Sequence, residues 1–402
     1  MTNLLLKETR QRHDFTVFCR IMMNQPKKIA VIGGGIVGST TAFYLSQTDT
    51  DVTLYDEETG QATSAAAGII CPWLSQRRNQ KWYRLAAGGA AFYPTLMKDI
   101  GEGLQYSVIY RQVGTLVFKK TPKLLDKLEK IVQKRRIDAP MIGELAVLSP
   151  EDIQEKMPLL ETRNPALFAS GGAKVDGAQL TQTLKEKAQQ NGVVFHKKKV
   201  SLHVESMDES PYIINDGTRQ ERFDAVVLAV GAWLPKLLEP LGYAVDIRPQ
   251  KGQLVELQLD AETDVWPVVM PDGEMDIIPF AGGKIIVGAT HENDKGYDLE
   301  PTKEQLQLML QEANKLVPEL EKATITRTRV GTRAYTSDFA PFFGEVPHAP
   351  RLYAASGLGA SGLTSGPLIA RMLTQLIKGE QTDLPLENYP INDYIQKSNS
   401  SS

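Results

Sequence analysis

Three rhythms of apolar and polar positions alternate along the chain. The first is an apolar run, Lys28-Ile29-Ala30-Val31-Ile32, that breaks into Gly33-Gly34-Gly35 and resumes as a helix-compatible pattern to Leu45. It predicts strand, tight turn, helix, and Asp51-Val52-Thr53-Leu54-Tyr55 predicts the next strand. The same rhythm returns as a helix from Asp176 to Gln190 and a strand at Gly192-Val193-Val194-Phe195. It returns again as a continuous apolar strand from Phe223 to Trp233, a strand at Arg351-Leu352-Tyr353-Ala354-Ala355-Ser356, and a helix from Leu363 to Ile377. Continuous apolar strands alternating with helices indicate a parallel sheet buried on both faces.

The second rhythm is helical with a single apolar face. From Lys81 to Ile100 the spacing of Trp82, Leu85, Ala86, Phe92, Leu96 and Met97 is helical, and Gly88-Gly89 and Pro94 are expected to divide it. Helices follow from Pro122 to Arg136, after the cap Ser149-Pro150-Glu151-Asp152, and from Thr302 to Leu316. The third rhythm is alternation. Val108-Ile109-Tyr110 and Gly114 to Phe118 read as paired strands, and Val200 to Val204 with Tyr212 to Asn215 as a meander with an Asp216-Gly217 turn. Met275 to Phe280 and Lys284 to Gly288 read as a hairpin around Gly282-Gly283.

The predicted fold is α/β: a Rossmann-like nucleotide-binding domain with an inserted antiparallel-sheet α+β domain. The first would be discontinuous, at 27–80, 166–243 and 328–390; the second would comprise 81–165 and 244–327, with a leader at 1–26 and a tail at 391–402. A chain of 402 residues is long for one core, which agrees with two domains. The leader's patch Phe15 to Cys19 is interrupted by Arg20 and no small-residue cleavage site follows, so a signal peptide is not expected. The expectation is that this leader is dispensable, with Met22 or Met23 as the natural start.

A net charge of −3 gives no nucleic-acid footprint, and Lys134-Arg135-Arg136 and Lys197-Lys198-Lys199 read as solvated faces. Two cysteines, Cys19 and Cys71, make no disulfide framework and suit a cytoplasmic protein. Five histidines, none at zinc-ligand spacing, predict no metal site. No apolar run approaches the roughly 18 residues of a membrane span. The oligomeric state is undetermined, and a homo-oligomer is compatible with the composition.

The candidate chemistry starts at the first turn. Gly33, Gly35 and Gly38 fit G-x-G-x-x-G, and the amides of Ile36 and Val37 open the helix, whose positive end attracts a pyrophosphate. Asp56, followed by Glu57, stands roughly 20 residues further on, where a ribose-binding acid belongs. Strand, turn, helix, strand and acid in order predict dinucleotide binding. Next comes a run of small residues from Gly60 to Ile70. It reads either as tight packing or as a loop whose Thr63 and Ser64 oxygens and backbone amides, through Ala67, Gly68 and Ile69, meet phosphate and a cofactor ring. Gly231, with Trp233 beyond it, ends a strand where the chain must pass a ligand. A second glycine turn, Gly357 to Gly362, lacks a following strand with an acid. It reads as a helix N-terminus aimed at the cofactor's polar edge rather than a second nucleotide site.

Together these segments resemble the D-amino acid oxidase superfamily of FAD enzymes, in its glycine oxidase and D-amino acid dehydrogenase branch. The resemblance runs from Lys28 to about Gly379 and rests on the first glycine turn, Asp56, Thr63-Ser64-Ala65-Ala66-Ala67-Gly68, Ala229-Val230-Gly231-Ala232-Trp233, Gly331 to Asp338, and Gly357 to Gly366. It implies FAD as cofactor, with Val200 near the adenosine and Gly357, Leu358, Gly359, Ser361, Gly362, Leu363 and Thr364 about the pyrimidine edge. It also implies that Arg333 grips a substrate carboxylate through two parallel N–H donors and that Tyr335 lines the site. The implied reaction is oxidative deamination of a small amino acid, by hydride transfer from Cα to flavin N5, with O2 or a quinone as acceptor. A sarcosine- or proline-type secondary-amine oxidase and a flavin-bearing binding protein are the alternatives. Two departures bear on substrate. Ala360 stands where glycine oxidases carry an arginine, and Met275-Asp276-Ile277 where an active-site tyrosine is common. Asp276 is expected to be a hairpin-face carboxylate; facing the flavin, it would favour a cationic group.

Overall fold

In the computed structural model, residues 26–103, 108–205 and 211–398 are described, so the leader lies outside the described residues apart from Pro26. Six strands form the nucleotide-type sheet in the order Phe342–Glu345, Leu352–Ser356, Ala225–Leu228, Lys28–Ile32, Asp51–Tyr55, Val194–His196. All neighbours are parallel except the first pair. The helix Ile36–Leu45 follows the central strand and is buried at every residue but Tyr44, which is why its sequence carries no amphipathic stripe. It packs against Gly177–Gln190 and Gly362–Ile377, covering one face of the sheet. The other face is covered by the antiparallel meander Ser201–Val204, Tyr212–Asn215, Gln220–Phe223 and by the short helix Leu234–Leu238.

The second sheet has eight strands, in the order Thr324–Tyr335, Arg248–Gln258, Lys284–Gly288, Asp276–Pro279, Val268–Met270, Thr115–Val117, Ala166–Ala169, Leu145–Leu148. Its apolar face packs against Lys303–Asn314 and Pro150–Lys156. The expected hairpin is present, with Ile278 opposite Ile286.

Four expectations need correction. Gln80–Asp99 is one unbroken helix: Gly89 lies so close to Gly362–Ile377 that a Cβ there would stand 2.8 Å from the Ser365 Cα, so these glycines serve a close helix crossing. Tyr110–Gln112 and Thr115–Val117 do not pair with each other. Gly114, at φ +83°, turns the chain between two sheets, the first strand pairing with Ala173–Val175 and the second with Ala166–Ala169 and Val268–Met270. Ala166–Ala169 belongs to the second sheet rather than the nucleotide unit, and Thr324–Tyr335 enters that sheet before residue 328. Within the described part of the expected tail, Ile395–Lys397 pairs with Tyr243–Val245, and Ile395 is fully buried.

Candidate functional site

The first turn is built by close approach of backbone. Gly33 adopts φ +98°, and a Cβ on Gly38 would run into the Gly33 carbonyl and stand 3.2 Å from the Ala229 Cβ. Gly38 therefore serves packing, whereas Gly33, Gly35, Ile36 and Val37 line a cleft of about 190 Å³. The Ile36 N–H, free at a helix start, donates to Thr63 Oγ1 at 3.0 Å. Thr63 thus caps the turn from across the cleft.

Asp56 ends its strand buried on the cleft wall. Its Oδ2 accepts from Lys185 Nζ at 3.2 Å and from Gln61 Nε2, and its Oδ1 accepts from the Glu58 N–H at 3.2 Å. Lys185 also meets Glu58 at 3.0 Å, and Lys197 meets Glu58 at 2.8 Å. This network holds the carboxylate at the strand end. Gly34, the unassigned glycine of the turn, is needed too: a Cβ there would stand 2.5 Å from Asp56 Oδ2 and 2.8 Å from Lys185 Cε. Glu57, Val200, Gly231, Trp233, Leu358, Gly359 and Gly362 line the same cleft, and so do Lys198 and Lys199, which are not merely a solvated face.

A second cavity, of about 170 Å³, adjoins the first, with Ala62, Thr63, Gly359 and Gly362 lining both. Ala67, Gly68, Ile69 and Leu363 line only the second. The strand Thr324–Tyr335 runs between them. Its alternation sends Thr332 and Ala334 to the first cavity and Gly331 and Arg333 to the second. Arg333 Nη1 donates to the Thr290 carbonyl at 2.8 Å and to Gln250 Oε1 at 3.2 Å; among the described residues Nη2 has no acceptor. The guanidinium lies across Gly252, where a Cβ would stand 2.6 Å from Nη1. Burial lowers its pKa to about 10, which leaves it charged at neutral pH.

Three more titratable groups line this cavity. Burial raises the Asp276 carboxyl to about 7. His291 is held below its ordinary value by burial and by the Arg333 charge, and its Nδ1 lies 3.7 Å from Glu274 Oε2. Asp276 is therefore a cavity-facing carboxylate. Nothing in the hairpin's alternation could have separated that outcome from an outward one, because the cavity is closed by segments distant in sequence.

Five expected residues line neither cavity besides Gly38. The Ser64 carbonyl accepts from Arg329 Nη1 at 3.3 Å, Ser361 Oγ accepts from Trp82 Nε1 at 3.0 Å, and Thr364 Oγ1 donates to the Ile69 carbonyl at 3.4 Å. Gly357 takes φ +75°, with Ala340 and Thr336 packed where a Cβ would sit. Tyr335 shares the parity of Arg333 but lies past the cavity's end, its ring stacked on Phe339 at 5.3 Å, so the expected role in lining the site is not supported. Among the described residues no group of three His, Cys, Asp or Glu could hold a metal ion, and no helix is long and apolar enough to cross a membrane.

The open cleft from Asp56 past the helix start to Gly362, with Gly33 and Gly34 packed so closely on their neighbours that no Cβ fits, is one that FAD would fit. The model of the DAO family, described as FAD dependent oxidoreductase, matches residues 28–376. An uncharacterized oxidoreductase of Bacillus subtilis (strain 168), YurR, is 41% identical over 366 residues, covering 90% of this chain and 98% of its own. The glycine oxidase of Pseudomonas putida (strain KT2440) is 30% identical over 374 residues, covering 88% and 95%. Among solved structures, iminodiacetate oxidase from Chelativorans sp. BNC1 superposes with TM-score 0.85 at 33% identity, covering 90% and 98%.

Proposed function

The chain belongs to the DAO family of FAD-dependent oxidoreductases, whose relatives act on amino acids and amines, and from that premise we propose that it oxidises the Cα–N bond of a small amino acid held by Arg333. The observation that carries this reading is a charged guanidinium set in the wall of a small cavity that adjoins the cofactor cleft, one nitrogen fixed by Thr290 and Gln250 and the other open. A fixed Nη1 restricts the plane of the guanidinium, so a carboxylate on Nη2 is oriented as well as bound.

Gly33, Gly35, Ile36, Asp56 and Thr63 would hold the FAD, which supplies the two-electron acceptor for the Cα–H bond when bound. The protein's own contribution is positioning: the clamped carboxylate limits the orientations open to Cα, an effect that can supply several kcal/mol of the barrier. The product imine hydrolyses in water to an oxo acid and ammonia or an amine. A secondary-amine substrate is the second reading, favoured by the likeness to a protein named for iminodiacetate, a secondary amine.

Anaerobic addition of glycine, D-alanine, sarcosine and iminodiacetate to the purified holoenzyme tests this. Bleaching of the flavin absorbance by at least one is expected, and peroxide release on readmitting air separates O2 from a quinone as acceptor. An unbleached flavin across such a panel overturns the reading.

A further inference from the structure

The cavity holds a second charged group that clamping a carboxylate does not use. Asp276 opens the strand Asp276–Pro279, and its register partner is Gly288, with Leu254 opposite that glycine on the next strand. No side chain at Gly288 screens the carboxylate, and among the described residues it has neither a hydrogen-bond nor an ion-pair partner. Asp276 is half-buried, and among the described residues fully buried charged groups are partnered: Asp56 with Lys185, Lys251 with Asp298 at 2.7 Å, Arg329 with Glu256. An unpartnered carboxylate in a cavity that also holds a half-open guanidinium is a pair of poles for a zwitterion.

We propose that Asp276 receives the ammonium of the α-amino acid and takes its proton, delivering the neutral amine that oxidation requires. This rests on the reading of the cavity given above. The ammonium N–H bond breaks and an Asp276 O–H bond forms. The freed lone pair becomes the C=N π bond as the Cα–H electron pair leaves to the bound FAD, and Asp276 returns its proton to water afterwards. The other charged or titratable groups facing this cavity are Glu274, His291 and Arg333. Glu274 is largely exposed and lies beside His291, and burial together with the Arg333 charge makes His291 a poorer base. Burial raises the Asp276 carboxyl to about 7, which suits a general base.

The experiment compares the wild-type holoenzyme with Asp276→Asn and Asp276→Glu, each checked for intact flavin absorbance. First, 2-aminoisobutyrate, an amino acid with no Cα–H to lose, is titrated calorimetrically in two buffers of different ionisation enthalpy at pH values above 7. Wild type is expected to bind without releasing a proton to buffer; if the amine is bound neutral, the Asn variant must release about one. Second, the pH profile of anaerobic flavin reduction is measured with whichever panel member bleaches the wild type. Wild type should lose rate on the acid side of about pH 7. Asp276→Asn should fall by about 10²–10⁴-fold near that pH and then rise tenfold per pH unit toward the wild-type value, as free amine accumulates. Asp276→Glu should keep the acid limb. An unchanged proton count and profile in the Asn variant overturns the proposal, as does a uniform loss with the wild-type pH shape, which would mean ion pairing alone. Isobutyrate, a carboxylate without an amine, should bind the Asn variant at least as tightly as wild type and release no proton from either. Because calorimetry requires no turnover, it tests Asp276 even if the panel leaves the flavin unbleached.

Discussion

The two adjoining cavities are made in opposite ways. The cofactor cleft is largely a backbone object: glycines at 33, 34 and 35 let the turn close against Ala229, Asp56 and Thr63, and the buried charged group, Asp56, follows the next strand. The second cavity is a side-chain object. Its charged groups come from Thr324–Tyr335, from the hairpin around Asp276 and from the segment after Lys284–Gly288. Contiguous backbone leaves a spacing rule in the sequence, whereas a cavity assembled across strands leaves only isolated residues. The single strand between them, with Arg333 on one side and Thr332 and Ala334 on the other, makes it possible to damage one without the other.

The largest separation is expected at Lys185. Its replacement by Met leaves Asp56 buried without its cation, a loss of about 3 kcal/mol. Thermal unfolding should show a much lower Tm and FAD retention should fall; an unchanged Tm would mean the pair contributes nothing. Gly252→Val attacks the other cavity. Its side chain would displace the Arg333 guanidinium and weaken substrate binding by about 30-fold, roughly 2 kcal/mol. FAD content should be unaffected, and loss of FAD instead would break the proposed separation. Gly34→Ala should reverse that pattern, raising the FAD Kd about tenfold with substrate binding unchanged once FAD is saturating.

The smallest effect is one of stability with pH. Asp276 titrates near 7 in the fold against an ordinary 3.8, so the native state keeps a proton that the unfolded chain releases. Its contribution is greatest at the acid end and is lost as pH rises between those values. Asp276→Asn should therefore gain Tm relative to wild type across that window, and a constant difference would show the carboxyl to be freely solvated.

Legibility in the sequence follows the same division. The glycine turn, the hairpin, the place of Asp56 after its strand and the helices other than Gln80–Asp99 were readable because each is local. Lys185 was not, because its place beside Asp56 depends on how Gly177–Gln190 packs on the sheet. Lys198 and Lys199 are solvent-exposed as expected, but that they also border the cleft was not legible, because a basic run is the same whether it faces water alone or water and a cleft. Tyr335 was expected only from the resemblance: it shares a face with Arg333, but its ring stacks on Phe339 and it does not line the cavity. The helix Gln80–Asp99 survives two glycines and a proline because its close packing against Gly362–Ile377 outweighs local propensity.

The central claim is that one strand serves the cofactor on one side and the substrate on the other. It is tested most directly by anaerobic titration of Arg333→Ala, loaded with FAD, with an amino acid that bleaches the wild type. The predicted result is a normal flavin spectrum and reduction weakened by about 30-fold or more. Reduction at the wild-type rate and concentration dependence would contradict it.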